Sequence, residues 1–294
     1  MIKIILRYLI ILPVSLTFVF GIFNLNFYVD DGLIYGRYIK NLFDGFGLVY
    51  NKNEIFNGLT SPLYTYLSIL VNYFLHDVIV SMNVISLIFH AIAVYYVYVL
   101  FSRSHHQITG LLVAFLLSVS PFFYQLYTME TTLYVALIAM CLSVYVKGQY
   151  AFLGILLSFL ILARSEGVFL FIAILTVHML ERRPIPSFEK YILPFIILTI
   201  HFTFNYYYYG NFTPDTSSAK IAHGQSGYWS VGLWFIAWFY MVMVQGGVSL
   251  LLLFFSIVGV YTLRNTSITR IIFIHSLILL TFYVLLKIPY YNWY

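Results

Sequence analysis

The sequence predicts an all-α protein, a polytopic bundle of about nine membrane-crossing helices, and three observations carry that expectation. Of 294 residues, 62% are hydrophobic and only 9% charged, whereas an ordinary soluble domain carries roughly 25% charge. Uncharged runs cover 8–29, 78–101, 107–129, 131–146, 148–163, 167–180, 191–210, 221–263 and 271–286, and about 20 apolar residues suffice to span a bilayer core. Lys and Arg also sort onto alternate loops, as orientation in a membrane requires. The composition excludes a disordered chain, a collagen and a disulfide scaffold, since Cys141 is the single cysteine. The net charge of +5 is accounted for by loop orientation, so no nucleic-acid partner is expected.

The first run follows Lys3 and Arg7 and ends in Tyr28-Val29-Asp30-Asp31, with 22 residues and no small-residue cleavage site. It reads as an anchored helix, not a signal peptide. From about 33 to 43, Arg37, Lys40, Asn41 and Asp44 share one helical face and Tyr35, Tyr38, Ile39 and Leu42 the other, which predicts an amphipathic juxtamembrane helix. Residues 62–75 form a 14-residue apolar run, too short to cross comfortably. Its Ser61, Thr65, Ser68 and Asn72 fall on one stripe and Leu63, Leu67, Leu70 and Phe74 on another, as in an interfacial helix.

Charge parity tests that choice. If 62–75 does not cross, nine basic groups and two acids lie inside, and six basic groups with the other eight acids lie outside. If it does cross, the bias inverts. The 43-residue run 221–263 is read as an interfacial segment bearing Trp229, Trp234 and Trp238, then one crossing from about 246 to 263. The result is one transmembrane domain, 1–294, with its N-terminus inside, a first outer loop at 28–77 and a second at 211–245.

The outer acids collect in four stretches: Asp30-Asp31, Glu130, Arg164-Ser165-Glu166, and Asn211 to Lys220. Taken singly, each has an ordinary reading. An aspartate of the pair caps the next helix, Arg164 and Glu166 form a local ion pair, and Glu130 is a loop residue. The eight histidines show no metal-ligand spacing. Together the stretches suit a site in which cations hold a lipid-linked phosphate while a carboxylate activates a hydroxyl. A charge at membrane depth, as expected of Arg164 and Glu166, normally faces a protein interior or a wet cavity.

Ordered motifs add to this. Tyr28-Val29-Asp30-Asp31-Gly32 is followed by Arg37-Tyr38, Asn41-Leu42, Gly45-Phe46-Gly47-Leu48-Val49-Tyr50-Asn51 and Gly58-Leu59-Thr60-Ser61-Pro62-Leu63. Then come Met129-Glu130-Thr131, Arg164-Ser165-Glu166-Gly167, Asn205-Tyr206-Tyr207-Tyr208-Tyr209-Gly210 and Thr213-Pro214-Asp215-Thr216. With these motifs the chain resembles the GT-C superfamily of integral-membrane glycosyltransferases, in particular its arabinofuranosyltransferase-like branch.

The resemblance implies a hexosyl- or pentosyltransferase that moves a sugar, with inversion, from a polyprenyl-phosphate donor to a hydroxyl of a glycan, lipid or protein acceptor. The site would face the periplasm or exterior of a bacterial inner membrane. Carried over by position, Asp31 is the general base with Asp30 assisting or taking that role, and Glu130 joins them as a catalytic carboxylate. Arg164, Lys220 and, more weakly, Arg37 face the donor phosphate. Glu166, Thr60, Ser61, Tyr209 and Asp215 line the cavity. A divalent metal, magnesium or manganese on Asp30 and Asp31, stays open.

The chain departs from the family pattern at Ser165, where proline is usual, at Asp215, where asparagine is common, and at Asn57, where an acid often stands. Members usually continue into a soluble outer domain, so a chain ending at Tyr294 reads as a reduced or truncated member. The competing expectations are a flippase for lipid-linked sugars, which predicts charges along a path to both faces, and a non-catalytic scaffold.

Overall fold

A computed structural model describes residues 8–103, 106–184, 186–226, 231–237, 241 and 256–288. Among them there is helix but no strand. In chain order the helices are α1 (Ile11–Phe23), α2 (Gly32–Phe43), α3 (Pro62–Leu75), α4 (Val78–Arg103), α5 (Gln107–Val119), α6 (Pro121–Tyr124), α7 (Thr131–Val146), α8 (Tyr150–Ala163), α9 (Gly167–Leu180), α10 (Glu189–Tyr209), α11 (Thr216–Gln225) and α12 (Ser267–Leu285). Two stretches, Val78–Ser102 and Ser267–Leu285, are long and apolar enough to cross a membrane. Five shorter apolar helices are α1, α5, α7, α8 and α9. Most of the crossing expected at 246–263 lies outside the described residues.

The chain divides into two compact units, Met1–Ser165 with Pro186–Pro214, and Glu166–Ile185 with Asp215–Tyr294. In the first, α4 packs against α1, α3, α5 and α7, while α8 bridges α7 and α10. At the α8–α10 contact the backbones come close because Gly154 faces Pro194. A methyl group on Gly154 would lie 2.7 Å from the proline Cγ. In the second unit α9 and α12 run antiparallel: Phe169 meets Phe282 near one end, and Ser267 donates to Glu181 at the other. Phe235, Tyr283 and Ile288 form a buried apolar cluster there.

Side-chain burial in the first unit is partly inverted relative to a water-soluble bundle, with small hydroxyl residues inside beside a core of Leu, Ala and Tyr. Thr17, Ser68, Ser81, Ser86, Ser118, Thr132 and Ser143 are wholly buried, whereas Ile11, Phe23, Leu112 and Phe115 are exposed. Small hydroxyl residues let helices approach in lipid, where apolar side chains have no reason to turn inward. Helix α3 shows the inversion within 14 residues. Its polar stripe, Thr65, Ser68 and Asn72, faces the bundle, and Leu70 and Phe74 of its apolar stripe face out. Tyr64 bonds the Met82 carbonyl and the Ser86 hydroxyl, and Ser81 reaches Asn72, so α3 is tied along the first turns of α4.

One side chain holds the exit of α1. Asn83 donates to the Leu25 and Phe27 carbonyls at 2.7 and 2.6 Å, and more weakly to Asn24 at 3.4 Å. Those carbonyls follow α1, where the helix leaves its last acceptors without intrahelical partners. Replacing Asn83 with Leu preserves volume but strands the carbonyls, at a cost of about 1–3 kcal/mol. Thermal unfolding of the purified variant in detergent should show a lowered Tm; an unchanged Tm would mean that the clamp contributes nothing.

Candidate active site

The acidic pair lies in the turn between α1 and α2. Asp31 occupies the N-cap position of α2, yet its side chain makes no capping hydrogen bond. Asp30 is exposed and its Oδ1 accepts the Asp31 backbone N–H at 2.9 Å. Asp31 is half-buried. The ordinary capping role is therefore not what places this pair.

What places it is contact with the segment before α7. The Val29 N–H donates to Thr128 Oγ1 at 3.0 Å. A Cβ on Gly32 would come within 2.5 Å of that same hydroxyl oxygen and 2.7 Å of the Thr128 carbonyl, so only glycine lets the two segments meet. Thr128 itself adopts a left-handed backbone, φ +69°, which for a β-branched residue is costly.

Two residues beyond Thr128, Glu130 stands at the N-terminus of α7 with its side chain 1% exposed. Arg164 donates to Glu130 Oε1 at 2.7 Å. Arg164 terminates α8 in extended backbone, φ −158° and ψ 137°, and 12% of its side chain is exposed. The second carboxylate oxygen, Oε2, accepts the Tyr35 hydroxyl at 3.0 Å. That hydroxyl also lies 2.6 Å from Thr60 Oγ1. Burial, and next the Glu130 carboxylate, push the Tyr35 phenol well above its ordinary pKa, so it stays neutral and can donate.

A continuous polar chain thus runs Thr60–Tyr35–Glu130–Arg164, joining the entry to α3, the first turn of α2, the start of α7 and the end of α8. Tyr35 was not among the residues expected from the sequence, where it falls on the apolar face of α2. Its spacing, one helical turn beyond Asp31, was the available signal. Ser61, adjacent to Thr60, is wholly buried at the α3 N-cap with its hydroxyl unpartnered among the described residues.

Tyr209 donates to the Leu48 carbonyl at 2.7 Å and Tyr208 accepts from the Leu48 N–H, tying the end of α10 to the first loop. Arg37 is exposed, donates to the Tyr50 carbonyl at 3.0 Å and lies over the Tyr50 ring. Glu166, Asp215 and Lys220 belong to the second unit. There Glu166 accepts the Tyr283 hydroxyl at 2.7 Å, Asp215 precedes α11, and Lys220 lies within α11, its side chain outside the described ones. No group of three or more His, Cys, Asp or Glu among the described residues is placed to hold a metal ion.

Residues 60–207, half of the chain, match the family model described as dolichyl-phosphate-mannose-protein mannosyltransferase. The chain belongs to this family. Its members are integral-membrane glycosyltransferases that draw on polyprenyl-phosphate sugars. The match includes Thr60, Ser61, Glu130, Arg164 and Glu166 and leaves Asp30, Asp31, Tyr35 and Arg37 before it. No curated protein and no solved structure matches the chain.

The buried pair makes a direct stability prediction. Arg164→Met leaves the Glu130 carboxylate buried without its cation and should cost about 3–5 kcal/mol, whereas Glu130→Gln with Arg164→Met should recover much of that loss. Denaturant unfolding of both single variants and the double completes the cycle. Simple additivity would mean that the two side chains do not act as a pair.

Proposed function

We propose that this family member is an inverting glycosyltransferase whose reaction centre is the Asp30-Asp31 turn beside the Glu130–Arg164 pair. The observation that carries the reading is the polar chain Thr60–Tyr35–Glu130–Arg164, a buried charge pair spanning four separate segments at the end of the bundle where the acidic turn is docked. A charge pair inside a membrane bundle is costly and marks function.

In the reaction, the acceptor hydroxyl attacks the anomeric carbon of the donor sugar. Asp31 takes the hydroxyl proton, the bond from that carbon to the phosphate oxygen breaks, and polyprenyl phosphate leaves with the electron pair. Attack opposite the leaving group inverts the centre. Arg164 stabilises the negative charge growing on the departing phosphate, and Arg37 steers it from the exposed rim. Asp30 holds the Asp31 backbone. Asp31 suits the base because it spends no hydrogen bond on capping α2.

Glu130 has a different part. With its side chain almost wholly buried and each oxygen engaged, it positions Arg164 rather than exchanging protons with an acceptor. Tyr35 fixes Glu130, and Thr60 and Ser61 border the same chain. Tyr209 is proposed to border the remainder of the cavity. A divalent cation bound by Asp30 and Asp31 has suitable oxygen ligands, and no step above depends on it.

Nine crossings with the N-terminus in the cytoplasm would put every stretch of the site on the outer face, towards the periplasm or exterior of a bacterial inner membrane. The partly inverted burial of the first unit supports a lipid environment. The motif order favours the arabinofuranosyltransferase-like branch, and with it a glycan, lipid or protein acceptor of the cell envelope.

Purified protein in proteoliposomes should transfer sugar from a polyprenyl-phosphate donor to a matching glycan acceptor. Asp31→Asn should reduce kcat about 10²–10⁴-fold, with little change in donor binding. Arg164→Ala should instead weaken donor binding and kcat together. Transfer at the parental rate by both variants would refute the site, and no transfer with any donor would favour a scaffold.

A further inference from the structure

The second unit contains a groove that has no part in the reaction above. It lies between the helical turn at 256–262 and the first turns of α12, has a volume of about 570 Å³, and its floor is Ile257, Val260, Tyr261 and Phe273. At its edge stand Arg264 and Arg270. Arg264 lies over the Tyr261 ring, 4.4 Å from the centroid, and donates to the Tyr261 carbonyl at 3.3 Å. Arg270 Nε donates to the Arg264 backbone carbonyl at 3.3 Å, so each arginine side chain is anchored at the edge of the groove.

The charge around this groove is not balanced. The segments 181–183 and 264–270 contain Arg182, Arg183, Arg264 and Arg270 against one acid, Glu181. Glu181 is already engaged: it pairs with Arg183 at 2.7 Å and accepts the Ser267 hydroxyl at 2.7 Å, while Arg270 stands further off at 3.6 Å. A guanidinium presents five N–H donors, and the bonds above use few of those on Arg264 and Arg270.

We propose that this groove binds an anionic phospholipid, its phosphate on Arg264 and Arg270 and one acyl chain along Val260, Ile257 and Phe273. The apolar floor selects a chain, because among the described residues α12 is one of two helices long and apolar enough to cross a bilayer, where its flank would meet acyl chains. Two guanidinium groups lining the same groove select a phosphate, which each can meet through N–H bonds. The uncompensated charge selects a net negative headgroup over a zwitterionic one. A soluble anion would satisfy the arginines but leave the floor uncovered. None of these residues belongs to the proposed reaction centre, so the two readings stand or fall separately.

The test is native mass spectrometry of the full chain released from mixed micelles of phosphatidylglycerol and phosphatidylcholine with identical acyl chains. The parent should retain phosphatidylglycerol selectively, and that enrichment should fall about fivefold for each arginine replaced in Arg264→Gln and Arg270→Gln. Val260→Trp, which fills the groove without touching charge, should remove the retained lipid as well. Arg264→Gln alone serves if the double variant fails to fold, since Arg264 is exposed. Enrichment unchanged in the arginine variants, or retention unaffected by Val260→Trp, overturns the proposal. So does displacement of the lipid by inorganic phosphate at constant ionic strength, which would identify a free-anion site.

Discussion

The ion pair between Glu130 and Arg164 is the constraint on which the first unit depends. Taking two charges out of water is expensive, and their attraction offsets this only with good geometry and further hydrogen bonds. Both conditions are met here. Arg164 closes on Oε1 at 2.7 Å and Tyr35 donates to Oε2, and the raised pKa of the buried Tyr35 keeps that donor in place. The pair therefore fixes Tyr35, and Tyr35 fixes the register of α2 against α7. Because α2 begins immediately after Asp31, the same contact sets where the acidic turn sits. Thr60, through the Tyr35 hydroxyl, sets where α3 enters.

The surroundings make this pair tolerable. Several small polar groups in the first unit are turned inward, from Thr17 in α1 to Ser143 in α7, so Glu130 and Arg164 lie in a bundle whose interior already holds hydroxyl contacts. His90 illustrates the pattern. Its ring meets the Leu117 carbonyl and the Tyr127 hydroxyl and packs between Phe123 and Tyr124, which makes it a packing histidine that holds α4 to the segment before α7. That segment includes Thr128, whose strained backbone is over-determined by His90 behind Tyr127 on one side and Gly32 on the other. Strain of that kind persists only where neighbours enforce it.

The helices were legible in the sequence because uncharged runs and capping prolines report directly on them: Pro62 opens α3 and Gly210 closes α10 in a left-handed turn. The two stripes of α3 were legible for the same reason, since helical spacing is local. The network was harder to read because its members are distant in sequence. Arg164 next to Glu166 invites a purely local reading, and nothing local says that extended backbone at Arg164 also carries its side chain to Glu130, 34 residues earlier. Tyr35 reads as apolar packing on a helical wheel, which cannot show that its hydroxyl end reaches a carboxylate. Asn83 lies in a run that looks uniformly hydrophobic, and nothing local says that it grips three carbonyls of the α1 exit.

The engagement of Glu130 also separates the roles of the carboxylates in the proposed reaction. A base must present a free lone pair to an arriving hydroxyl, and a carboxylate with each oxygen bonded and 1% of its side chain exposed does not. Asp31 is half-buried and makes no capping hydrogen bond to α2, which suits the proposed base. Conversely a cation that binds phosphate without being trapped by it needs a resident counter-charge, so that the leaving group is stabilised as charge develops and then released. Glu130 supplies that counter-charge to Arg164 before the donor arrives and after polyprenyl phosphate departs. Binding of the donor phosphate then shares the guanidinium with Glu130 instead of filling a vacant cation site. Part of the attraction is thereby withheld from the ground state, which is the direction that favours turnover over tight binding.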